Sequence, residues 1–287
     1  MSTGNIIQTG QPSRTALTVA VLRAAHQLLD DPLVLIDPVA LRILGAEREA
    51  ELRADPFGQN EPILRFLRAA LVVRSMFAEE ELARAMANGV RQYVVLGAGL
   101  DTFAYRNPHA EESLSIFEVD HPSTQAWKRQ LLAEAGIALP GNLTFAPVDF
   151  EQATLADGLA AAGFQMDQPA CFSWLGVTMY LTDEAIFETL RFVANLPRGS
   201  SITFDFIADL SVSNPLRRAV TETLMAIAAG YGEPWLSTFV PEELRERVRS
   251  LGFSEVETLD AEALNRQYLY RRKDGLRTVG QLLRARV

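Results

Sequence analysis

The sequence predicts an α/β fold of the Rossmann-like, doubly wound type, with a seven-stranded, mainly parallel sheet and an antiparallel last strand. The first third of the chain carries helical patterns and no strand signal. From residue 93 onward, short runs rich in β-branched and aromatic residues alternate with helical stretches. Such alternation implies right-handed crossovers, which place parallel strands in one sheet with helices on both faces.

Three helical patterns precede the first strand. In the first, apolar residues recur at helical spacing: Leu17, Val21, Ala24 and Leu28. Ser13 is a suitable N-cap for it, and residues 1–11 have the composition of a disordered segment. Asp37-Pro38 predicts the start of a second helix, and a longer one runs from about 62 to 86. We therefore expect residues 1–88 to form an N-terminal helical cap.

The strands and helices of the core follow in alternation. The strand candidates are 93–96, 114–119, 143–148, 170–174 and 201–207. The helices between them are predicted at 123–135, 153–162 and 183–195. A helical insertion at about 208–240 contains a helix at 214–229, and a further helix covers 241–250. Strands at 254–259 and 267–271 would close the sheet as an antiparallel hairpin. Residues 89–287 then form the core, in one compact unit with the cap.

Composition and charge exclude several classes of partner. The 287 residues are 48% hydrophobic and carry a net charge of -9, which argues against a nucleic acid backbone as the main partner. Basic residues near the C-terminus are expected on a solvated face: Arg271, Arg272, Lys273, Arg277, Arg284 and Arg286. The single Cys171 fits a reducing cytosol, and neither a signal peptide nor a membrane-spanning stretch is found. We expect a soluble, cytoplasmic protein of unknown oligomeric state.

The first strand ends in Gly97-Ala98-Gly99, where ligands of an open parallel sheet bind. Glycines there let the backbone approach a ligand closely. The second strand ends in Asp120, at about the twenty-residue separation expected of an acid that binds ribose hydroxyls. At the third strand, Asp149 could accept the adenine amino proton while Phe150 packs on the ring. Alternatively, Asp120 and Asp149 only cap the helices that follow them.

A nicotinamide dinucleotide would also require glycines and an acid. Its fingerprint needs a third glycine, but Leu100-Asp101-Thr102 follows Gly99 in this chain. A carboxylate there would repel a pyrophosphate and could meet a cationic sulfonium or ammonium group. The residues therefore favour S-adenosylmethionine as the cofactor.

Several motifs together make the chain resemble the leucine carboxyl methyltransferase family, particularly its bacterial branch of small-molecule O-methyltransferases, over nearly the whole length. The segments that carry the resemblance are Pro12-Ser13-Arg14-Thr15-Ala16, Val73-Arg74-Ser75, Leu96 to Thr102 with Tyr105-Arg106, Glu118-Val119-Asp120-His121-Pro122 with Lys128, Gly176, Met179-Tyr180-Leu181 and Gly232-Glu233-Pro234. The Leu96 to Thr102 segment is the most specific of them.

The resemblance implies roles for individual residues. Arg74 would hold the methionine carboxylate of the cofactor, which suits a bidentate guanidinium. Gly97 and Gly99, with Ala98 between them, would line the methionine moiety. Asp120, beside His121, would bind the ribose. Asp149 and Phe150 would lie at the adenine. Three positions depart from the family pattern: Leu175 replaces a common acid, Phe103 a frequent arginine, and Glu79 a usual aspartate.

The methyl acceptor is less well defined by the sequence. A carboxylate acceptor needs no base, whereas a hydroxyl would need one, and the candidates are His121 and Tyr180. His121 before Pro122 could equally cap a helix, and Tyr180 could be a pocket wall. The predicted acceptor pocket comprises Tyr105, Tyr180, Trp235 and Phe239. No spacing of histidine, cysteine and acidic residues resembles a metal site, so we predict no metal.

The resulting hypothesis is an S-adenosylmethionine-dependent O-methyltransferase that acts on a small carboxylic acid or hydroxyl compound, such as a secondary metabolite. Two alternatives remain: a catalytically silent protein that binds the same cofactor, and a nicotinamide-dependent oxidoreductase. Methylation of a protein carboxyl group is a further option that the resemblance leaves open.

Overall fold

The computed structural model describes residues 14–109, 113–150 and 152–287, with the side chain of residue 14 excepted. In this part of the chain, seven strands form one sheet: β1 (Gln92–Leu96), β2 (Ser115–Asp120), β3 (Leu143–Pro147), β4 (Cys171–Trp174), β5 (Ser201–Phe206), β6 (Glu255–Leu259) and β7 (Gln281–Arg286). Their order is β3-β2-β1-β4-β5-β7-β6. The pairs among β1 to β5 are parallel, and β7 is antiparallel to both β5 and β6. The predicted fold class is confirmed.

The helices are α1 (Arg14–Leu29), α2 (Ala46–Ala54), α3 (Pro62–Ala87), α4 (Phe103–Arg106), α5 (Pro122–Glu134), α6 (Leu155–Ala161), α7 (Asp183–Ala194), α8 (Pro215–Gly230), α9 (Pro241–Ser250) and α10 (Ala261–Leu264). Short helical turns lie at Arg42–Leu44, Pro56–Gln59, Thr178–Tyr180, Leu210–Val212 and Asn265–Leu269. The long helix predicted at 62–86 and the one at 241–250 are confirmed within one residue. The proposed N-cap Ser13 and the segment 1–11 lie outside the described residues.

The two faces of the sheet are buried by different helices, because side chains alternate along each strand. In β1, Val94 and Leu96 pack in the cluster that α6, α7 and α9 supply. Tyr93 and Val95 point the other way and meet the end of α3. Helices therefore cover both faces, as a doubly wound sheet requires.

Two sequence predictions about secondary structure were wrong. Residues 267–271 are not a strand, because the chain there stays helical and buries Leu264 and Leu269 against α3. The last strand is instead β7, ten residues further on, where Arg284 is half-buried and paired with Glu81. The segment after Asp37 is not a full helix. A turn begins at Pro38, a short helical turn continues it to Leu44, and Gly45 ends it with a φ of 85°.

The order of the strands places a crevice at the carboxyl ends of β1 and β4. The chain leaves β1 toward β2 and β3 on one side, and later adds β4 and β5 on the other side. Ligands of open α/β sheets bind where the strand order reverses in this way. α1 packs on α3, and α3 in turn packs on β4 and β5. The division of the chain into a cap and a core at residue 88 stays a prediction.

Candidate functional site

A cavity of about 360 Å³ opens at this crevice, within the size range of small-molecule sites. Its wall combines the ends of β1, β2, β4 and β5 with parts of α1, α3 and α8. Of the predicted site residues, seven line it: Arg74, Gly97, Ala98, Gly99, Asp120, Tyr180 and Trp235. The fold thus brings residues from five separate segments to one place.

The glycine loop after β1 forms one side of the cavity. Gly97 has φ +63° and Gly99 has φ +45°, a region of backbone conformation that favours glycine. A Cβ atom on Gly97 would lie 2.3 Å from Cγ2 of Val177, so no side chain fits there. The loop therefore presents bare backbone to the cavity.

Asp120 is held at the end of β2 by two backbone donors. Its Oδ2 accepts a hydrogen bond from the N–H of Gly99 at 2.6 Å, and its Oδ1 accepts one from the N–H of His121 at 2.7 Å. Burial raises the pKa of the Asp120 carboxyl, although the two N–H groups oppose this shift. Each carboxylate oxygen retains a lone pair for a further donor. The carboxylate is therefore suited to a pair of ribose hydroxyls.

A buried ion pair lies close to Asp120, because Glu118 is two positions earlier on β2. Lys128 on α5 donates to Glu118 on β2 at 2.6 Å, and both side chains are only 1% exposed. Burial raises the pKa of Glu118 to about 7 even though Lys128 lowers it. The ring of Tyr105 covers Lys128, with its centroid 5.3 Å from Nζ. Tyr105, predicted in the acceptor pocket, is thus not part of the cavity wall.

Arg74 enters the cavity from α3 and is paired with a residue that the sequence analysis missed. Its Nη1 donates to Oδ2 of Asp205 at 2.6 Å, and Oδ1 of Asp205 accepts from the N–H of Gly176 at 2.6 Å. Gly176 has φ +76°, and a Cβ there would lie 2.6 Å from Nη2 of Arg74. The sequence signal for Asp205 was an acid near the carboxyl end of the apolar strand β5. Leu175, the departure from the family pattern, lines the cavity beside this pair.

A second charged network lies behind the glycine loop. Arg23 of α1 lies 3.3 Å from Asp37 and 3.5 Å from Asp101. Arg106 donates to Oε2 of Glu79 at 2.9 Å, and burial raises the pKa of Glu79. Arg23, Glu79 and Asp101 also line the cavity. Arg23 and Asp37 were not predicted as site residues, because their partners are distant in the chain.

Tyr180 lies in the wall on the β4 side, near the contact between α1 and the loop after α8. There, Thr15 donates a hydrogen bond to Glu233. Burial raises the pKa of Tyr180, so its phenol stays protonated over a wider range than a free tyrosine. Trp235 follows in the same loop and lines the cavity.

His121 serves as the N-cap of α5. Its Nδ1 accepts a hydrogen bond from the N–H of Ser123 at 3.2 Å, and Pro122 takes the first helical position. A ring whose Nδ1 accepts this bond carries its proton on Nε2 when neutral. His121 is not among the residues that line the cavity. This arrangement matches the capping alternative.

Three other predicted residues lie outside the cavity wall. Asp149 accepts from the side chain of Gln152 at 2.7 Å, and Phe150 is 63% exposed. Phe239 is 7% exposed and belongs to the core between the sheet and α9. The adenine contacts proposed for Asp149 and Phe150, and the acceptor contact proposed for Phe239, stay predictions.

The described residues contain neither a metal-binding cluster nor a membrane-spanning helix. Within 14–109, 113–150 and 152–287, no three histidine, cysteine or acidic side chains lie close enough to hold a metal ion. The expectation of no metal stays a prediction. No helix in the described ranges is long and apolar enough to cross a membrane.

Known proteins similar to this chain place it in a family. The model of the leucine carboxyl methyltransferase family matches residues 16–194. YktD of Bacillus subtilis (strain 168), which bears the name of an S-adenosyl-L-methionine-dependent methyltransferase, is 33% identical over 93% of this chain and 94% of its own. A protein of the same description from Saccharopolyspora erythraea is 35% identical over 68% of this chain and 67% of its own.

Solved structures agree on the fold. A methyltransferase structure from Thermobifida fusca YX has a TM-score of 0.60 at 18% identity, over 98% of this chain and 96% of that one. A DUF574 family protein from Streptomyces avermitilis has a TM-score of 0.57 at 15% identity, over 96% and 97%. The family match and the relative that covers nearly the whole chain lead to one conclusion: the chain belongs to the leucine carboxyl methyltransferase family and is an S-adenosylmethionine-dependent methyltransferase.

Proposed function

We propose that the chain methylates an oxygen atom of a small-molecule acceptor. The observation that supports this most directly is a single cavity whose wall holds both Asp120, suited to ribose, and the apolar side chains of α3 and α8. A donor and an acceptor can therefore lie end to end in it. Alignment of the two reactants supplies much of the rate enhancement in a displacement reaction.

The residues fit the cofactor at three points. The backbone of Gly97 and Gly99 gives the methionine chain a surface whose one intervening side chain is the methyl group of Ala98. Arg74, already oriented by Asp205, has further N–H donors for the methionine carboxylate. Asp120 has lone pairs for the ribose hydroxyls. The adenine would then extend toward the loop after β3, where Asp149 lies.

Charge in the wall suits a cationic donor. The side chains of Glu79 and Asp101 line the cavity close to the glycine loop. Arg106 pairs with Glu79, and Arg23 is shared between Asp101 and Asp37. This group of three carboxylates and two guanidinium groups has an excess of negative charge when all are ionised. Such a site favours an ammonium or sulfonium group.

The acceptor that best fits is an oxygen that is ionised without help. S-adenosylmethionine supplies a methyl group on a positively charged sulfur, which leaves as a neutral thioether when an oxygen lone pair forms the new bond to carbon. An aliphatic hydroxyl would need a base, yet Nδ1 of His121 already caps α5. Tyr180 is protonated, because burial raises its pKa. These observations favour a carboxylate or an acidic phenol.

The test begins with calorimetric titration of the purified protein with S-adenosylmethionine, S-adenosylhomocysteine and NAD. We expect the two sulfur ligands to bind and NAD not to bind. Asp120→Ala should weaken both sulfur ligands by roughly 100-fold, as loss of a charge-assisted double hydrogen bond would. The control is Asp167→Ala, an exposed acid outside the cavity wall that should leave both affinities unchanged.

Methyl transfer is then tested with candidate acceptors that differ in the oxygen group they carry. S-adenosylhomocysteine release is measured with aromatic and aliphatic carboxylic acids, phenols and the corresponding alcohols. Release with acids or phenols supports the proposal. Tight cofactor binding without release from any compound of the panel would favour the silent binding protein instead.

A further inference from the structure

One face of α8 forms a continuous part of the cavity wall. Residues along it recur three or four positions apart, the spacing of one helical face: Arg217, Thr221, Leu224, Ala228 and, just after the helix, Tyr231. The opposite face is turned to solvent, where Arg218 and Glu222 are exposed. α8 therefore presents one cationic side chain, at its first turn, to an otherwise uncharged stripe.

Arg217 differs from Arg74 and Arg23 in having no acidic partner among the residues that the structure describes. Arg74 is paired with Asp205, and Arg23 lies within 4 Å of two carboxylates. No acidic side chain of the described ranges lies within 4.0 Å of the Arg217 guanidinium, which is only half-exposed. The chain has 36 acidic residues against 27 basic ones, so acids are not scarce. A guanidinium left unpaired beside an apolar surface is available to an anion that enters the cavity.

The surroundings of Arg217 indicate the shape of that anion. The same wall contains the apolar side chains of Leu67, Ala70 and Leu71 on α3, of Phe206 at the end of β5, and of Ala208 just after it. The apolar part of a ligand would be buried against these side chains. A charged group at one end of the same ligand would bind Arg217. Small-molecule sites commonly combine apolar walls with a few polar groups that fix orientation.

We propose that Arg217 binds an anionic group of the methyl acceptor, which is an amphipathic molecule with an apolar body between α3 and α8. This rests on the proposed function. The anion at Arg217 is an anchor and not the oxygen that receives the methyl group, because charge-assisted hydrogen bonds from a guanidinium lower the nucleophilicity of the oxygens that accept them. The acceptor thus has two polar ends, and Arg217 determines which of them points outward.

The experiment uses two fluorescent probes with the same ring system. 8-Anilino-1-naphthalenesulfonate carries an anionic sulfonate, and N-phenyl-1-naphthylamine is its uncharged counterpart. Each is titrated into the full chain, into Arg217→Met and into Arg218→Met. Arg218 is the matched control, because it is the next residue on α8 and its guanidinium lies outside the wall, donating to the carbonyl of Leu210. Calorimetry with S-adenosylhomocysteine on each variant verifies the cofactor site.

We expect Arg217→Met to bind the sulfonate roughly tenfold more weakly, as loss of one partly exposed charge-assisted contact would, and to bind the neutral probe as before. Arg218→Met should change neither affinity. Equal sulfonate affinity in the parent and Arg217→Met, an equal loss in Arg218→Met, or failure of both probes to bind the parent would overturn the proposal. If S-adenosylhomocysteine does not bind the parent chain, the proposed function fails, whereas the comparison of probes still decides the role of Arg217.

Discussion

The guanidinium of Arg74 on α3 donates a 2.6 Å hydrogen bond to the carboxylate of Asp205 on β5, with side-chain exposures of 13% and 12%. The same carboxylate accepts from the N–H of Gly176 after β4. Three segments of the chain therefore meet at one charged pair. Because Asp205 restricts the rotation of a long side chain, Arg74 is oriented before any ligand arrives.

Asp205→Asn tests this orientation. We expect the affinity for S-adenosylhomocysteine to fall roughly tenfold, because a neutral amide cannot accept from both Arg74 and Gly176 as a carboxylate does. Calorimetry measures the change, and Asp167→Asn is the exposed control. Tighter binding in Asp205→Asn would mean that Asp205 competes with the ligand carboxylate, contrary to the positioning role.

Comparing Gly176→Ala with Gly136→Ala distinguishes two effects of an added methyl group: a clash with Arg74 and strain in the backbone. Gly176 and Gly136 both have positive φ, at +76° and +61°, but an added Cβ on Gly136 would meet nothing within 4 Å. Each alanine variant should lose about 1–2 kcal/mol of unfolding free energy from the left-handed conformation. Only Gly176→Ala should also weaken S-adenosylhomocysteine binding, since its methyl group displaces Arg74. Urea unfolding and calorimetry on both variants measure the two effects, and equal binding losses would refute the explanation.

The Glu118–Lys128 pair should behave as a unit. Glu118→Gln or Lys128→Met alone leaves a buried charge without its partner and should cost about 3–5 kcal/mol of stability. The double variant should cost much less than the sum of the two. A double-mutant cycle by urea unfolding at pH 7 measures the coupling, and additive losses would contradict it.

The same pair predicts a pH dependence. The pKa of Glu118 rises from 4.5 to about 7 on folding, so between these values the folded chain binds more protons than the unfolded chain. The free energy of unfolding contributed by this group therefore falls as pH rises through that window. Unfolding curves from pH 5 to 8 should show the decrease in the parent chain and a smaller one in the double variant. If the free energy of unfolding falls with pH as steeply in the double variant as in the parent chain, the decrease comes from other groups.

Cys171 should be unreactive in the folded protein. Its thiol is buried in β4, and burial raises its pKa to about 12, so little thiolate exists at neutral pH. Ellman's reagent should detect no fast-reacting thiol in the native state and one thiol per chain in urea. Rapid reaction without denaturant would show that β4 opens readily.

Much of the site could be predicted because the glycine loop and Asp120 each follow a strand with a clear local pattern. The loop after β1 needs positive φ at Gly97 and Gly99, and this requirement is visible in the residue type itself. His121 before Pro122 likewise indicated a helix cap from adjacent residues alone.

The missed features depend on partners far away in the sequence. The last strand was predicted to begin at residue 267 and not at 281, because Arg284 and Arg286 suggested a solvated face. They lie in the strand next to the edge of the sheet, where Glu81 on α3 pairs with both of them. Tyr105 was predicted in the acceptor pocket, whereas its ring lies over Lys128.

The sequence by itself determined the alternation of strands and helices, the position of the glycine loop and the family, because hydrophobic periodicity and backbone preference act between near neighbours. The tertiary structure alone decided that Asp205 orients Arg74 and that Arg217 lines the cavity with no acidic partner in the described part of the chain. Both depend on residues more than a hundred positions apart in the sequence. Only the packing of α3 and α8 over the sheet brings such residues together.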